Sequence, residues 1–186
     1  NLIWNYKDAM VPEKLPKSIL IIGSGAIGIE FASFYNSFGV DVSVVELMDR
    51  ILPNEDIEIS SIAEKIFVNK GIKIYTESSI SKITKNKLDL ECIIKLKNNK
   101  ILNQKFDKLI LAVGIQGNTD NIGLENYPNL KINKGHIVTN EWCKTSIDNL
   151  YAIGDLTGGP WLAHKAMHEA IVCVEKIAGI TDCHPL

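Results

Sequence analysis

Of the 186 residues, 46% are hydrophobic and 23% charged, and the formal net charge is −2. That is enough chain for one large or two small domains with a real core, and it carries no basic footprint for nucleic acid or an anionic membrane. No apolar run approaches a membrane span, and the first residues, NLIWNYKDAM, lack the charged-then-apolar plan of a secretory leader, so neither is expected.

Residues 1–13 look like a linker, and the prolines of Val11-Pro12-Glu-Lys-Leu-Pro16 favour an extended approach to the first strand. That strand is expected from about Ser18. Its run Ile19-Leu-Ile-Ile22 is apolar on both faces, as in a central parallel strand covered by helices. It runs straight into Gly23-Ser-Gly25-Ala-Ile-Gly28 and a helix from about Ala26 to Phe38, closed by Gly39. Ile27, Phe31, Phe34, Tyr35 and Phe38 form the helix stripe expected to pack on the sheet. A second strand, Val40 to Val45, ends on Glu46.

Strand, glycine turn, helix, strand and acid in this order make up the full context of a dinucleotide fingerprint. Gly23 allows the tight turn, Gly25 lets backbone approach a pyrophosphate, and Gly28 lets the helix lie close to the strand. The helix N-terminus then aims free N–H groups at the phosphates. Glu46 lies eighteen residues past Gly28. A carboxylate there accepts the two hydroxyls of an adenosine ribose and repels a 2′-phosphate, which favours NAD over NADP. Glu30, just beyond the glycines, is either a solvated carboxylate or a group facing the nicotinamide.

After a loop to Pro53, a second helix is expected from about Ile57 to Asn69, with Ile59, Ile62, Ala63, Ile66 and Phe67 inward. Ile72 to Tyr75 reads as a third strand. Residues 79–106 alternate and are broken by Asn-Lys and Asn98-Asn99 turns, the pattern of a small antiparallel meander. Phe106 to Gly114 returns as a buried strand whose end lies at the cofactor edge of the sheet. Beyond Thr119 come a short hairpin around Gly135, a strand over Asn149–Asp155, and a helix from about Leu162 to Ala178. That helix has Ala163, Ala166, Ala170, Val174 and Ile177 on one face. Asp155, ahead of glycines and a helix, is either a simple N-cap or a second nucleotide contact.

The cysteines Cys92, Cys143, Cys173 and Cys183 show no metal-ligand or CxxC spacing and read as buried thiols of a reducing compartment. His164 and His168 are four apart on the last helix, but no ligand set accompanies them, and no metal is expected.

Three stretches carry a family resemblance: IIGSGAIGIEFASFY at 21–35, LAVGIQGNT at 111–119 and YAIGDLTGGPWLAHKA at 151–166. They resemble the flavin-dependent pyridine nucleotide–disulfide oxidoreductases, over essentially the whole chain. The GGPxLAHKA continuation is similar to the branch that oxidises protein-bound dihydrolipoyl groups. The resemblance implies an α/β fold: a Rossmann-like NAD-binding domain at 14–117, with a central parallel sheet and a three-stranded meander, then a returning portion of an FAD-binding domain at 118–186.

It further implies an NAD site made by Gly23, Ser24, Gly25, Ala26, Ile27, Gly28, Ile29, Glu30, Glu46, Ile83 and Gly114. Asp155 would bind the ribityl chain of FAD, and Trp161, Leu162, Ala163 and His164 would meet the flavin through backbone groups. The implied partners are the lipoyl domains of 2-oxoacid dehydrogenase complexes and a second copy in a homodimer. The implied location is the cytoplasm of a bacterium or a mitochondrial matrix.

The departures narrow this. The family's Cys-x4-Cys disulfide, FAD pyrophosphate fingerprint and His-Pro-Glu acid–base pair are not found, since Leu186 follows His184-Pro185. The chain is therefore expected to bind nucleotide without turning over lipoamide, and it holds no catalytic residue of its own. A related reductase or NADH oxidase, and a non-catalytic NAD-binding module, are the alternatives.

Overall fold

The computed structural model describes residues 1–185; Leu186, the end of the expected FAD-domain portion, lies outside the described residues. The chain divides into two compact units, Asn1–Gly114 and Ile115–Leu186.

In the first unit, β1 (Ile3–Trp4) leads through α1 (Tyr6–Met10) to β2 (Ser18–Ile22), α2 (Ala26–Ser37) and β3 (Asp41–Val45). Next come α3 (Ile57–Asn69), β4 (Lys73–Tyr75), the meander β5 (Ser79–Lys85), β6 (Leu90–Lys95) and β7 (Ile101–Phe106), and β8 (Lys108–Leu111). The main sheet is parallel throughout, in the order β1-β8-β2-β3-β4. The α/β class, the parallel sheet and the antiparallel meander are as expected from the sequence.

The strand period of two explains how one apolar run serves two layers. Ile19 and Ile21 of β2 point to the helix side, where they join Trp4, Ala9, Ala32, Tyr35, Val42 and Val44. Leu20 points the other way, into a second core with Val45, Leu109 and the meander residues Leu90, Cys92, Ile94 and Phe106. The second face is thus covered by the meander, where the apolar run had pointed to helices on both sides.

Residues 1–13, expected as a linker, are instead part of this unit. Ile3 and Trp4 pair with Leu109 and Ile110 as the sheet's edge strand. Asn5 caps α1 in a capping box with Asp8, and the Tyr35 hydroxyl donates to the Ala9 carbonyl at 2.5 Å. Two residues are too short a strand to show a period, so the pattern is silent there.

The helix stripes also sit differently. α2 buries Gly28, Ile29, Ala32 and Tyr35, with Phe31 partly covered, while Phe34 and Phe38 are exposed. On α3 the buried residue is Ser60, whose hydroxyl donates to the Leu52 carbonyl, and Phe67 reaches the core. Ile59, Ile62 and Ile66 are about half exposed, because α3 runs over the sheet edge at the short β4.

The second unit has little regular structure. The hairpin β9 (Ile132–Asn133) and β10 (His136–Ile137) is followed by a one-turn 3₁₀ helix at Gly154–Thr157 and by α4 (Ala163–Ile177). The expected strand at 149–155 shrinks to a single bridge, Tyr151 with Lys144. Apolar residues make an extended segment, but without a neighbouring ladder it is not a strand. α4 buries Glu169, Val172 and Cys173, and leaves Val174 and Ile177 of the expected inward face exposed.

Candidate functional site

The turn after β2 is built by steric necessity. Gly23 has φ +95°, its N–H donates to Val45, and a Cβ there would lie 2.3 Å from the Ala112 carbonyl oxygen. A Cβ on Gly28 would lie 2.0 Å from the Gly23 carbonyl oxygen. These two glycines are dictated by the protein's own packing. Gly25 is not. Its φ is −62°, which any residue adopts, and a Cβ would meet nothing within 4 Å.

Gly25 is also the N-cap of α2, and it offers no capping side chain. Among the described residues, no acceptor meets the N–H groups of Ala26, Ile27 and Gly28; the first satisfied amide is Ile29, bonded to the Gly25 carbonyl at 3.0 Å. Free amides, the positive end of a twelve-residue helix and an open Cα face together form an anion cradle.

Glu46 stands at the end of β3, buried to 7% exposure. Its Oε2 accepts the Ser24 N–H at 2.8 Å and the Ser24 hydroxyl at 2.7 Å, and its Oε1 accepts the Met48 N–H at 2.8 Å. Burial works to raise its pKa, but the donors of Met48, Ser24 and Leu47 outweigh it, and the net result lies below the ordinary value. The acid is therefore ionised and stitched to the glycine turn.

Ser24 itself is fully buried, with both its amide and its hydroxyl spent on Glu46 and its carbonyl taken by the Leu52 N–H at 2.9 Å. The expectation that Ser24 contacts a cofactor is corrected here, because no polar donor of this residue is left for one. Glu30 is exposed and, among the described residues, its carboxylate has no bonded partner. Gly114 (φ +134°) faces open space, and Ile83, on β5, is 37% exposed and outside both cores.

In the second unit, Asp155, Trp161, Leu162, Ala163 and His164 are all exposed and fall within ten residues. Asp155 lies in the 3₁₀ turn, with no partner for its carboxylate among the described residues. Leu162 is the N-cap of α4 and again supplies no capping side chain; among the described residues, the N–H groups of Ala163, His164 and Lys165 meet no acceptor.

The structure adds two residues that sequence reasoning missed. The Glu169 carboxylate accepts the Gly154 N–H at 2.6 Å and pairs with the Lys165 ammonium at 2.8 Å. Lys165 also donates to the Gly158 carbonyl and the Thr157 hydroxyl. One i,i+4 pair thus locks the turn that carries Asp155. Its spacing was visible, but such pairs on a helix ordinarily face solvent.

Cys92, Cys143 and Cys173 are buried, and burial pushes the first two thiols up to about 11, with the Glu169 charge adding to the effect at Cys143. Among the described residues no three His, Cys, Asp or Glu side chains form a metal-sized cluster, and no helix is long and apolar enough to cross a membrane.

The chain belongs to the pyridine nucleotide-disulphide oxidoreductase family, whose model matches residues 3–170. The cofactors of that family are FAD and NAD, as the resemblance implied. Within it, the chain is similar to the dihydrolipoyl dehydrogenases of Rhizobium etli (48% identity over 99% of this chain) and Zymomonas mobilis (42% over 99%). It spans 38% and 39% of the lengths of those two relatives. The solved HOCl-induced flavoprotein disulfide reductase RclA of Escherichia coli shares the fold: TM-score 0.86 and 24% identity, over 99% of this chain and 41% of that one.

Proposed function

We propose that the chain is the NAD-binding part of a dihydrolipoyl dehydrogenase, together with a portion of its FAD site. Gly25 carries this reading. Of the three fingerprint glycines it alone has no reason within the protein to lack a side chain, and it borders three unsatisfied amides. In this reading that space is kept for a ligand, and the free amides beside it suit one that is negatively charged.

In this reading the amides of Ala26, Ile27 and Gly28 hold the pyrophosphate, and Glu46 takes the adenosine ribose through Oε1, the oxygen Ser24 leaves free. Ile83 lies beside the adenine, Gly114 approaches the cofactor, and Glu30 helps seat the nicotinamide. Asp155 holds the ribityl hydroxyls of FAD, and the backbone of residues 161–164 meets the flavin. The bound NAD and FAD supply the redox chemistry, in which electrons from a protein-bound dihydrolipoyl group leave as hydride on NAD+; the protein supplies binding, orientation and electrostatics. In the whole protein the partners are lipoyl domains of 2-oxoacid dehydrogenase complexes and a second subunit, and the location is the cytoplasm of a bacterium or a mitochondrial matrix.

The redox disulfide and the acid–base pair have no counterpart in these residues, so the isolated chain binds nucleotide and does not turn over lipoamide. Titration of the purified chain is expected to show NADH bound more tightly than NADPH, with Glu46→Arg reversing the order. Equal affinities, unmoved by that substitution, would overturn the site. Dihydrolipoamide–NAD+ turnover by the 186-residue chain would overturn the assignment of catalysis to residues outside it.

A further inference from the structure

The Ser24 hydroxyl stands apart from everything the nucleotide site uses directly. The side chain is fully buried, so no ligand reaches it. Its partner is the carboxylate that reads the ribose, at 2.7 Å, and its own amide reaches the same oxygen at 2.8 Å. A carboxylate oxygen accepts two good hydrogen bonds, so Oε2 of Glu46 is filled from within by Ser24, while Oε1 accepts from Met48 at 2.8 Å. We propose that Ser24 is a specificity-positioning residue: its hydroxyl pins Oε2 to the glycine turn and thereby holds Oε1 at the ribose position.

The consequence is a restriction on movement. A carboxylate meeting a 2′-phosphate escapes the repulsion by rotating away, if its side chain is free to do so. Two donors from one residue on one oxygen prevent that rotation, and the second donor is the part that a side chain supplies. A turn residue with no hydroxyl leaves the backbone amide as the one tie to Oε2. Selectivity for the unphosphorylated ribose is then shared between Glu46, which carries the charge, and Ser24, which keeps the charge in place. The Leu52 amide on the Ser24 carbonyl anchors the residue from its other side, so the turn is the fixed member of the pair.

This inference rests on the nucleotide-binding reading above, and its test separates the two. NADH and NADPH dissociation constants are measured on the chain and on Ser24→Ala and Ser24→Gly, both of which delete the hydroxyl. The expected result is a ratio Kd(NADPH)/Kd(NADH) lowered about tenfold in both variants, the order carried by one charge-assisted hydrogen bond.

A hydroxyl that merely stabilised the turn would weaken both nucleotides together and leave the ratio where it was. An unchanged ratio therefore overturns the proposal. So does a change in one variant alone, which would assign the effect to Cβ, and so does loss of folding in both, which would place the hydroxyl in the stability of the turn. A wild-type chain that takes neither nucleotide overturns the reading beneath it instead.

Discussion

Alanine at Gly25 and at Gly28 separates a glycine kept for a ligand from one kept for the fold. At Gly28 the new Cβ would sit 2.0 Å from the Gly23 carbonyl oxygen and 2.9 Å from its carbon. Both are backbone atoms, and both distances are well inside van der Waals contact. Relief requires α2 to move off the end of β2, an overpacking that costs about 3 kcal/mol or more. For a chain of this size that lowers Tm by about 6–12 °C.

At Gly25 the new Cβ enters open space, and φ −62° suits alanine. Alanine is a poorer N-cap than glycine, and this is offset by the narrower unfolded ensemble, so stability changes by less than about 1 kcal/mol. Binding responds in the opposite order. The Cβ of Gly25→Ala stands where the proposed site puts the pyrophosphate, and losing even part of that contact is expected to cost about 2–3 kcal/mol, a weakening of NADH by about 30- to 150-fold. Thermal unfolding followed by circular dichroism and an NADH fluorescence titration measure the two quantities. A Gly25→Ala chain that binds NADH like wild type, or a Gly28→Ala chain that melts like it, would refute the reasoning.

Glu46 gives the chain an acid-sensitive tie. Its folded pKa lies below the ordinary value, so its contribution is fully present above the ordinary carboxylate pKa and is lost as pH falls through the lower folded one. Denaturant unfolding should show Glu46→Gln less stable than wild type at pH 7, with the gap closing in acid; a gap independent of pH would contradict the ionised clamp. Lys165→Met should destabilise by about 3 kcal/mol, since it strands the buried Glu169 charge, and urea unfolding measures it. With thiols near 11 for Cys92 and Cys143 and a raised Cys173, an aromatic disulfide reagent at pH 8 should modify one cysteine, Cys183, rapidly in the native chain and four after unfolding.

The first unit was legible because its elements repeat at periods a sequence displays. The run of β2, the glycines behind it and Glu46 at the next strand end define one βαβ unit, and the structure places them at β2, α2 and β3 in that order. What the pattern did not show was which apolar residues face inward. Phe34 and Phe38 fit the helical stripe as well as Tyr35 does, yet α2 turns Gly28, Ile29, Ala32 and Tyr35 to the core and leaves Phe34 and Phe38 exposed, a rotation of the face that the apolar pattern leaves open. Edge strand β1 was invisible for the opposite reason, two residues having no period. In the second unit few elements are regular, and its order comes from polar contacts such as Glu169 to Gly154 that no hydropathy pattern announces.

The four α-helices of the described residues divide by how their first turns are satisfied. Asn5 caps α1 and Asp56 caps α3, each with a side-chain oxygen on two amides. Gly25 and Leu162 cap α2 and α4 with nothing. An uncapped first turn costs about 1 kcal/mol relative to one capped by Asn or Asp, and this chain uses such caps where it needs them. The two helices that forgo them are those whose N-termini were expected from the sequence to meet NAD and FAD.

Their supports differ in kind. The turn before α2 is held by one carboxylate on one serine, which leaves negative charge at the end of β3. The turn before α4 is held by a neutralised Lys165–Glu169 pair, which leaves the Asp155 carboxylate without a bonded partner among the described residues. Substituting Gly25 with serine therefore has two effects that can be weighed against each other. It supplies the missing cap and should raise stability by about a few tenths of a kcal/mol, while closing the cradle to the proposed pyrophosphate. A Gly25→Ser chain that gained stability and kept its NADH affinity would show that the bare cap has no ligand to explain it.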